Sequence, residues 1–253
     1  MPEPRQRPPR RTVTVDSIAQ LTPRLRRVVA RGELEGWEPG GPGAHFKVFV
    51  PQPGSDEPAM RTYTVRSFEP GALTIDFAQH SDGPATTFAQ DATVGARFQI
   101  SGMARSGFVP DAASEWCVFL ADHAALPAVA AVLESLPAGL RALVIVELQN
   151  PRDALQLESR AELEIRWLTE SGAPCEQLVA ATRELALPAG SGEVWVGCEA
   201  GSMRQIRAHL LARPELGPRA LHTRAYWKQN VANHSDHDTG EDDDRSAVRS
   251  DSR

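Results

Sequence analysis

The feature that most constrains the fold is a change in the pattern of apolar segments near residue 107. From Val13 to that point the apolar runs are short and are separated by Gly and Pro. They read TVTVDSI, RLRRVVARG, HFKVFVP, RTYTVRSF, LTIDFAQH and ARFQISG, with one short helix expected near Ala85–Asp91. Short strands divided by turn residues are typical of small antiparallel barrels. We therefore predict a six-stranded antiparallel barrel over residues 13–108.

After residue 107, strands alternate with helices. The strands are WCVFLA, ALVIVEL, LEIRWL, EVWVGC and RALHTRAY, and the helical stretches between them include ALPAVAAVLESL, EQLVAATREL and SMRQIRAHLLA. Near-continuous apolar strands separated by helices are typical of a parallel sheet covered on both faces. Residues 114–230 are therefore predicted to form a doubly wound α/β domain, which makes this a two-domain chain of β then α/β type.

The two ends of the chain differ from the rest in composition. Residues 1–12 hold four prolines and four arginines, and residues 231–253 are polar, charged and free of aromatics. Such segments cannot bury enough apolar surface to fold, so we predict that both are disordered. The acidic tail contributes much of the net charge of −6. A net negative chain argues against nucleic-acid binding.

No sequence feature supports membrane insertion, export or a metal centre. The chain has no apolar run of about 18 residues and no signal-peptide core, so we expect it in the cytoplasm. Cys117, Cys175 and Cys198 are far apart, with no CxxC pair. We expect buried thiols rather than a disulfide or zinc site. His234 and His237 lie in the acidic tail, where solvated side chains are the expected state rather than metal ligands.

The segment Arg61-Thr62-Tyr63-Thr64-Val65-Arg66 carries the clearest chemical signal. On a strand, Arg61 and Tyr63 share a face. An aromatic ring beside a guanidinium suits a ligand with a flat ring and a phosphate, so Tyr63 can stack on an isoalloxazine while Arg61 or Arg66 pairs with a diphosphate. An exposed strand of alternating Arg and Thr explains the hexapeptide equally well.

A second segment, DFAQHSDGPATTFAQ at Asp76–Gln90, leads from a strand through Gly83-Pro84 into a helix. A helix start with free amides and the hydroxyls of Thr86 and Thr87 is a natural diphosphate seat. A proline in the first turn is also an ordinary way to begin a helix. The two segments in this order favour the cofactor interpretation over either ordinary one.

Together with ALPAVAAVLESLP, EVWVGCEAGSMRQIRAHL and Tyr226-Trp227-Lys228, these segments resemble the siderophore-interacting protein family. Its members are flavin-dependent ferric-siderophore reductases of the ferredoxin-reductase superfamily. The resemblance covers Val13 to Asn230. It implies an FAD-binding barrel over 13–108, an NAD(P)-binding-like domain over 114–230, and a ferric siderophore as substrate. It also implies electrons from NADH, NADPH or a ferredoxin.

The resemblance also implies roles for individual residues of the barrel. Tyr63 would pack on the flavin ring, Thr64 would lie near its reactive edge, and Arg61 and Arg66 would hold the cofactor. The remaining cofactor contacts that it implies are Val65, Asp76, Ala78, His80, Gly83, Pro84, Ala85, Thr86 and Thr87.

The nicotinamide side departs from the family pattern. The chain contains no GxGxxG fingerprint. Where the family reads Gly-Asp-Glu-Thr-Ala-Leu-Pro-Ala, residues 121–128 read ADHAALPA, so the Gly, Glu and Thr are replaced. The dinucleotide contacts that the resemblance implies are Asp122, His123, Pro127, Glu199 and Ala200.

Basic residues are the substrate candidates. Lys47 matches a position where the family keeps a basic residue near the substrate pocket, and a lysine there attracts anionic ferric chelates. Lys228 and Arg224 are further candidates, and a solvated strand lysine is the ordinary alternative for Lys47. No catalytic acid or base is expected, and we expect a monomer. Two alternatives stay open: a flavin oxidoreductase with another acceptor, and a non-enzymatic protein that binds siderophore or flavin.

Overall fold

The computed structural model describes residues 9–241 except residues 53, 80–82 and 236. The chain forms two compact units that divide after Val109, and Ala130–Val132 of a later helix group with the first unit. Among the described residues, buried apolar side chains form a core cluster in each unit. Within the described residues, no helix combines the length and the apolar character that a membrane span requires.

The described residues 9–109 form a seven-stranded sheet and one helix. Neighbouring strands pair antiparallel in the order β4-β3-β7-β1-β2-β6-β5. The predicted antiparallel domain is confirmed, with seven strands instead of six because the run RTYTVRSF divides into β4 and β5. The elements are β1 (Arg11–Thr22), β2 (Leu25–Gly32), β3 (His45–Gln52), β4 (Ser55–Thr64), β5 (Ser67–Glu69), β6 (Ala72–Ala78), α1 (Pro84–Asp91) and β7 (Arg97–Ile100).

The sheet curls over its own core. Tyr63 lies on the edge strand β4, yet its ring centroid is 4.5 Å from that of Phe77 on β6. Those two strands are far apart in the strand order, so only a strongly curled sheet brings them together. The result is a barrel-like shell around the aromatic and branched side chains of the core.

Helix α1 packs against this shell through an aromatic contact and through hydrogen bonds at its C-terminal end. Its Phe88 ring lies 5.3 Å from the ring of Phe98 in the core. The Arg26 guanidinium donates to the carbonyl oxygens of Gln90 at 2.6 Å and Ala92 at 3.4 Å. A cation at the C-terminus of a helix satisfies carbonyls that have no partner within the helix. Arg26 thereby fixes the C-terminal end of α1 against β2.

The second unit is a parallel sheet with its connecting helices. Its strands are ordered β10-β9-β8-β11-β12, and every neighbouring pair is parallel. The predicted α/β class is therefore confirmed. The elements are β8 (Trp116–Asp122), α2 (Leu126–Ser135), β9 (Arg141–Leu148), β10 (Glu162–Thr169), α3 (Glu176–Glu184), β11 (Gly192–Glu199), α4 (Ala200–Leu211) and β12 (Leu221–Trp227), with short 3-10 turns at Pro151–Asp153 and Pro218–Ala220.

The first strand of this sheet, β8, lies at its centre, and every one of its residues is buried. The chain runs outward from β8 to β9 and β10, then returns to β11 and β12 on the other side. The strand order therefore reverses beside β8. In open α/β sheets, ligands bind at the carboxyl ends of the strands where such a reversal occurs.

The disorder predicted at the two ends of the chain is wrong for the end residues that the structure describes, while residues 1–8 and 242–253 lie outside the described residues. Arg11 and Thr12 belong to β1 and pair with Ile100 and Gln99 of β7. The prediction of disorder through residue 12 is therefore wrong for these two residues, since their backbone continues the ladder of the sheet.

The predicted disorder from residue 231 onward is also wrong for the described part of this segment, which ends at residue 241. The Asp238 carboxylate accepts two hydrogen bonds from Arg204, at 2.8 and 2.9 Å, and lies 2.7 Å from Nε2 of His234. The Asp238 carbonyl accepts a hydrogen bond from the amide of Ala225 on β12 at 2.8 Å. Ion pairing and main-chain hydrogen bonds hold this polar segment, which is why its lack of apolar residues is misleading.

Candidate functional site

Tyr63 and Arg61 lie on one face of β4, as strand alternation predicts. The register pairs Tyr63 with Phe46 and Arg61 with Val48, and side chains directly opposite each other in antiparallel strands share a face. The Tyr63 ring is partly exposed and packs on Phe77. Burial raises the pKa of its phenol well above the usual value, and the nearby Arg61 charge opposes that rise. Tyr63 is therefore a neutral aromatic surface beside a cation.

The next two residues are more buried than Tyr63. Thr64 is 6% exposed and lies opposite His45, on the other face of the strand. Val65 belongs to the apolar core, and its amide donates to the Ala44 carbonyl at 2.7 Å. These contacts fix the backbone that carries Tyr63.

Arg66 is tied to a buried carboxylate. Its Nε lies 3.6 Å from Oδ2 of Asp76, whose side chain is 1% exposed. Arg27 holds the same carboxylate with two shorter contacts, from Nε at 2.7 Å and from an Nη at 2.8 Å. Asp76 is thus engaged with two arginines, and the structure gives it an internal role where the sequence predicted a cofactor contact.

Among the described residues, no side chain caps the start of α1; residues 80–82, which precede it in the sequence, lie outside them. Gly83 is its N-cap residue, with extended backbone at φ −137° and ψ 156°, and Pro84 follows in the first turn. A Cβ atom added at Gly83 would have no heavy atom of the described residues within 4 Å. Ala85 and Thr86 are buried, whereas Thr87 is exposed. An uncapped, accessible helix N-terminus attracts anions because its amides lack partners.

Two further predicted cofactor residues precede this helix in the sequence. Ala78 ends β6 and is 6% exposed. His80 lies outside the described residues.

The residues of the first unit fit the groups of FAD. The partly exposed Tyr63 ring suits a flat conjugated system, and the Arg66 guanidinium and the open α1 start suit a diphosphate. Cationic and amide donors together with an aromatic face are the donor set that such a dinucleotide needs.

The predicted substrate lysine has a defined partner. Lys47 lies opposite Thr62 in the β3–β4 register, and its Nζ donates to the Thr62 hydroxyl at 2.6 Å. It is partly buried, not a fully solvated strand lysine. Arg224 and Lys228 belong to the second unit, where Arg224 is partly exposed on β12 and Lys228 is exposed just after it.

In the second unit, Asp122 is the centre of a hydrogen-bond network at the carboxyl end of β8. Its Oδ1 accepts from the amides of Ala124 and Ala125 at 2.9 and 3.2 Å. Its Oδ2 accepts from Nε1 of Trp227 at 2.7 Å and lies 3.6 Å from the Cys175 thiol. Burial raises the pKa of Asp122 to about 6, and these hydrogen bonds oppose the rise.

Glu199 accepts main-chain hydrogen bonds at the end of β11, as Asp122 does at the end of β8. Its Oε2 accepts from the amides of Gly201 and Ser202 at 2.6 and 3.0 Å, which caps α4. Its Oε1 accepts from the Gln229 amide at 3.3 Å. Two carboxylates, Asp122 and Glu199, therefore occupy the main-chain donors that a nucleotide diphosphate would use.

The predicted nicotinamide residues thus come together but do not fit the diphosphate of a dinucleotide. A phosphate placed at the start of α2 or α4 would meet a carboxylate in place of free amides. His123 and Ala200 are buried at these strand ends, and Pro127 lies in the first turn of α2.

Three residues at these sites carry no clear sequence signal. Arg27 is one of several arginines in RLRRVVARG, and only the β2–β6 register singles it out. Glu147 is the one charged residue within the apolar run ALVIVEL, which is a weak signal; its Oε2 accepts from the Leu178 amide at 2.7 Å, and Oε1 has no hydrogen-bond partner among the described residues. Cys175 has a φ of 61° at the start of α3, which nothing in its neighbours predicts.

The chain matches two family models. Residues 114–230 match the siderophore-interacting protein model, and residues 52–106 match the siderophore-interacting FAD-binding domain. Together these ranges cover more than half of the chain.

Curated relatives and solved structures agree with these matches. The chain is 26% identical to the ferric acinetobactin reductase of Acinetobacter baumannii, over 87% of this chain and 79% of the relative. It is also 26% identical to the ferric vibriobactin reductase of Vibrio cholerae, over 81% of this chain and 84% of the relative. A siderophore utilization protein from T. fusca superposes with a TM-score of 0.82 at 29% identity, covering 90% of this chain and 96% of the other.

More distant structures share the fold alone. Phthalate dioxygenase reductase, a modular enzyme that passes electrons from pyridine nucleotides to an iron–sulfur cluster, has a TM-score of 0.63 at 19% identity, over 87% of this chain and 69% of its own. The two-unit architecture is therefore ferredoxin-reductase-like. With both family models matched in order along its two units, this chain belongs to the siderophore-interacting protein family.

Proposed function

We propose that this protein is an FAD-dependent ferric-siderophore reductase that acts in the cytoplasm as a monomer. One observation carries the proposal: a partly exposed tyrosine, a tethered arginine and an uncapped helix start lie within the region that matches the family's FAD-binding domain. Two relatives named as ferric-siderophore reductases support the choice of substrate.

The residues of the first unit have separate tasks in this proposal. Tyr63 would support the flavin ring, Arg66 and the start of α1 would hold the diphosphate, and the buried Thr64, on the other face of the strand, would fix the backbone beside the ring. Lys47 attracts the anionic ferric chelate, with its ammonium held in place by the Thr62 hydroxyl. Bound FAD supplies the redox chemistry, since it can accept two electrons and deliver them singly.

The reaction needs little acid–base help from the protein. Hard oxygen ligands of siderophores hold Fe(III) far more tightly than Fe(II), so reduction alone loosens the complex. The electrons come from NADH, NADPH or a ferredoxin. Asp122 and Glu199 accept hydrogen bonds from the main-chain amides at the starts of α2 and α4. An experiment that compares NADH, NADPH and ferredoxin therefore decides which of them supplies the electrons.

An anaerobic reduction experiment tests the proposal. The purified protein should be yellow, lose its flavin colour with at least one of NADH, NADPH and reduced ferredoxin, and regain it on addition of a ferric siderophore. A colorimetric Fe(II) chelator should then trap the released metal. Size-exclusion chromatography with light scattering reports the monomer.

Two other outcomes would replace the proposal. Reoxidation by quinones or oxygen, with no preference for ferric chelates, would indicate a flavin oxidoreductase with another acceptor. Binding of flavin or siderophore without turnover with any donor would indicate a binding protein. A colourless protein that takes up no FAD contradicts all flavin-based versions.

A further inference from the structure

The carboxyl edge of the second sheet holds three carboxylates on three neighbouring strands. Asp122 ends β8 and pairs with Glu147 of β9 in the parallel register, and Glu199 ends β11 on the other side of β8. Their exposed fractions are 6%, 3% and 8%. Burial is the main cause of the raised pKa of Glu147, and the negative charges of Glu170 and Asp122 add to it. This edge is therefore a buried, acidic environment.

The oxygens of Asp122 and Glu199 are all in use. Asp122 accepts hydrogen bonds from two amides at the start of α2 and from the Trp227 indole. Glu199 accepts from two amides at the start of α4 and from the Gln229 amide. Burial raises the pKa of Asp122 to about 6, so this carboxyl is still largely ionised at neutral pH. The amides that an incoming anion would need are already bound to negative charges.

A nicotinamide dinucleotide would meet this arrangement with its diphosphate. The diphosphate carries negative charge and binds where amides or cations are available as donors. None of the ion pairs between described residues involves Asp122, Glu147 or Glu199, so no cation of an ion pair offsets their charge there. Like charges repel strongly at short range when water is excluded. The edge therefore disfavours a diphosphate by geometry and by charge.

We propose that Asp122 and Glu199 are specificity-determining residues that exclude nicotinamide dinucleotides from this edge, so that the electrons come from a one-electron protein carrier of the ferredoxin class. Each carboxylate takes the position that a phosphate would need and adds a charge that repels one. The inference deepens the proposed function and rests on it, since it takes the protein to be a flavin-dependent reductase. It narrows the three candidate donors to one.

The electrons balance for such a carrier. Two carrier molecules are each oxidised by one electron, and both electrons pass to bound FAD together with one proton from solvent. Two Fe(III) siderophore complexes are then each reduced by one electron, and the proton returns to solvent. This sequence needs no hydride donor.

The test measures nucleotide binding and flavin reduction in the FAD-loaded protein. Isothermal titration with NADH and with NADPH should give Kd values above about 1 mM. Under anaerobic conditions, a reduced [2Fe–2S] ferredoxin should bleach the flavin at least about a hundredfold faster than either nucleotide does at about 1 mM.

Removal of the two charges should create nucleotide binding. Asp122→Asn and Glu199→Gln keep the shape of each side chain, so the double variant should lower the Kd for NADPH roughly tenfold, because two repulsions near a phosphate are lost. A general loss of stability would not raise this affinity. Glu164→Gln is the matched control for Glu199→Gln, because Glu164 is exposed on β10 and pairs with Arg166 at 2.8 Å. It should leave nucleotide binding unchanged.

Three results would overturn the inference. The first is wild type that binds NADH or NADPH with a Kd of about 100 µM or less, or that either nucleotide reduces as fast as ferredoxin does. The second is nucleotide affinity that does not rise in the variants; should the double variant fail to fold, Glu199→Gln alone decides. The third is a flavin that reduced ferredoxin does not bleach.

A separate measurement decides the proposed function. Wild type is reduced with dithionite, which needs no donor site, and is then mixed with a ferric siderophore. Reoxidation of the flavin supports the reductase whichever donor the protein uses. If the protein takes up no FAD, or if the siderophore does not reoxidise it, the proposed function itself fails.

Discussion

At the scale of single residues, the sequence predicts the aromatic face better than the charges around it. Tyr63 and Arg61 share a face because strand alternation is a local property. The partner of Asp76 is not local. Arg27 reaches it only through the β2–β6 register, which depends on how the whole sheet pairs. The sequence therefore indicates which residues are candidates but not which arginine a buried carboxylate will choose.

Tyr63 leads to a prediction at this scale. Tyr63→Ala removes the ring from the proposed flavin seat and from Phe77, so FAD affinity should fall and the flavin spectrum should shift. The lost packing should also destabilise the first unit by about 2 kcal/mol, below the cost for a fully buried aromatic. Fluorescence titration with FAD and thermal unfolding of the apoprotein measure the two effects.

Tyr63→Phe is the control for this prediction. It retains the ring and removes only the hydroxyl, so we expect FAD affinity within a factor of about two of wild type, since the stacking area is unchanged. If Tyr63→Ala left both affinity and spectrum unchanged, the flavin ring would have to be seated elsewhere.

At the scale of elements, the short helix α1 is predicted well because its signals are local. Gly83-Pro84 marks its start, and the structure begins the helix at Pro84, one residue before the expected Ala85. The number of strands is predicted less well. One apolar run, RTYTVRSF, serves two strands because the curl of the sheet turns the chain between Thr64 and Ser67. Curvature of this kind is a property of the whole sheet and leaves no mark in a short segment.

A substitution at the start of α1 should raise the stability of the apoprotein and lower its affinity for FAD. Gly83→Asp places a carboxylate where it can cap the helix, and its extended backbone accepts any residue. The apoprotein should gain a few tenths of a kcal/mol in unfolding free energy, as expected for Gly→Asp at an N-cap. FAD affinity should fall roughly tenfold, because the new charge competes with the diphosphate for the same amides.

Gly83→Ser separates the two causes of that loss. It caps the helix without a charge, so the apoprotein should gain similar stability while FAD affinity falls less. Gly217→Asp, at the start of a 3-10 turn in the second unit, is a control for a general charge effect. Unchanged FAD binding in Gly83→Asp would place the diphosphate away from α1.

At the scale of the whole molecule, the order of the two units follows from the sequence because each sheet type has its own pattern of apolar runs. The network around Asp122 does not follow from it. Trp227 is separated from Asp122 by most of the second unit in sequence, and they meet because β8 and β12 both end at the same edge of the parallel sheet. The family resemblance predicts Asp122 as a dinucleotide contact, whereas in the structure its oxygens accept hydrogen bonds from within the fold.

This network predicts how stability depends on pH. The pKa of Asp122 is raised from 3.8 to about 6, so its ionised form is disfavoured in the folded state. Asp122 therefore contributes fully to the free energy of unfolding at pH values below its unfolded pKa. This contribution is lost as the pH rises from about 4 through about 6. Burial also raises the pKa of Glu147, so that carboxyl acts in the same direction. The lowered pKa of Asp238 acts oppositely, since its contribution is lost as pH falls.

Comparison of wild type with Asp122→Asn isolates the first of these groups. Between pH values of about 4 and 7, wild type should lose about 3 kcal/mol of unfolding free energy relative to the variant, as a pKa shift of about two units requires. Chemical unfolding of both proteins across this range measures the difference. If the difference in unfolding free energy between wild type and Asp122→Asn stayed constant with pH, Asp122 would titrate as it does in the unfolded chain.

The hydrogen bond from the Trp227 indole to Asp122 has an optical consequence. Indole emission depends on the charge beside the ring nitrogen, so the carboxyl of Asp122 changes the light that Trp227 emits when it gains or loses its proton. A difference spectrum between the wild-type protein and Trp227→Phe would isolate this signal from the other tryptophans. The protein thus carries its own fluorescent indicator for the edge of the sheet where β8 and β12 end.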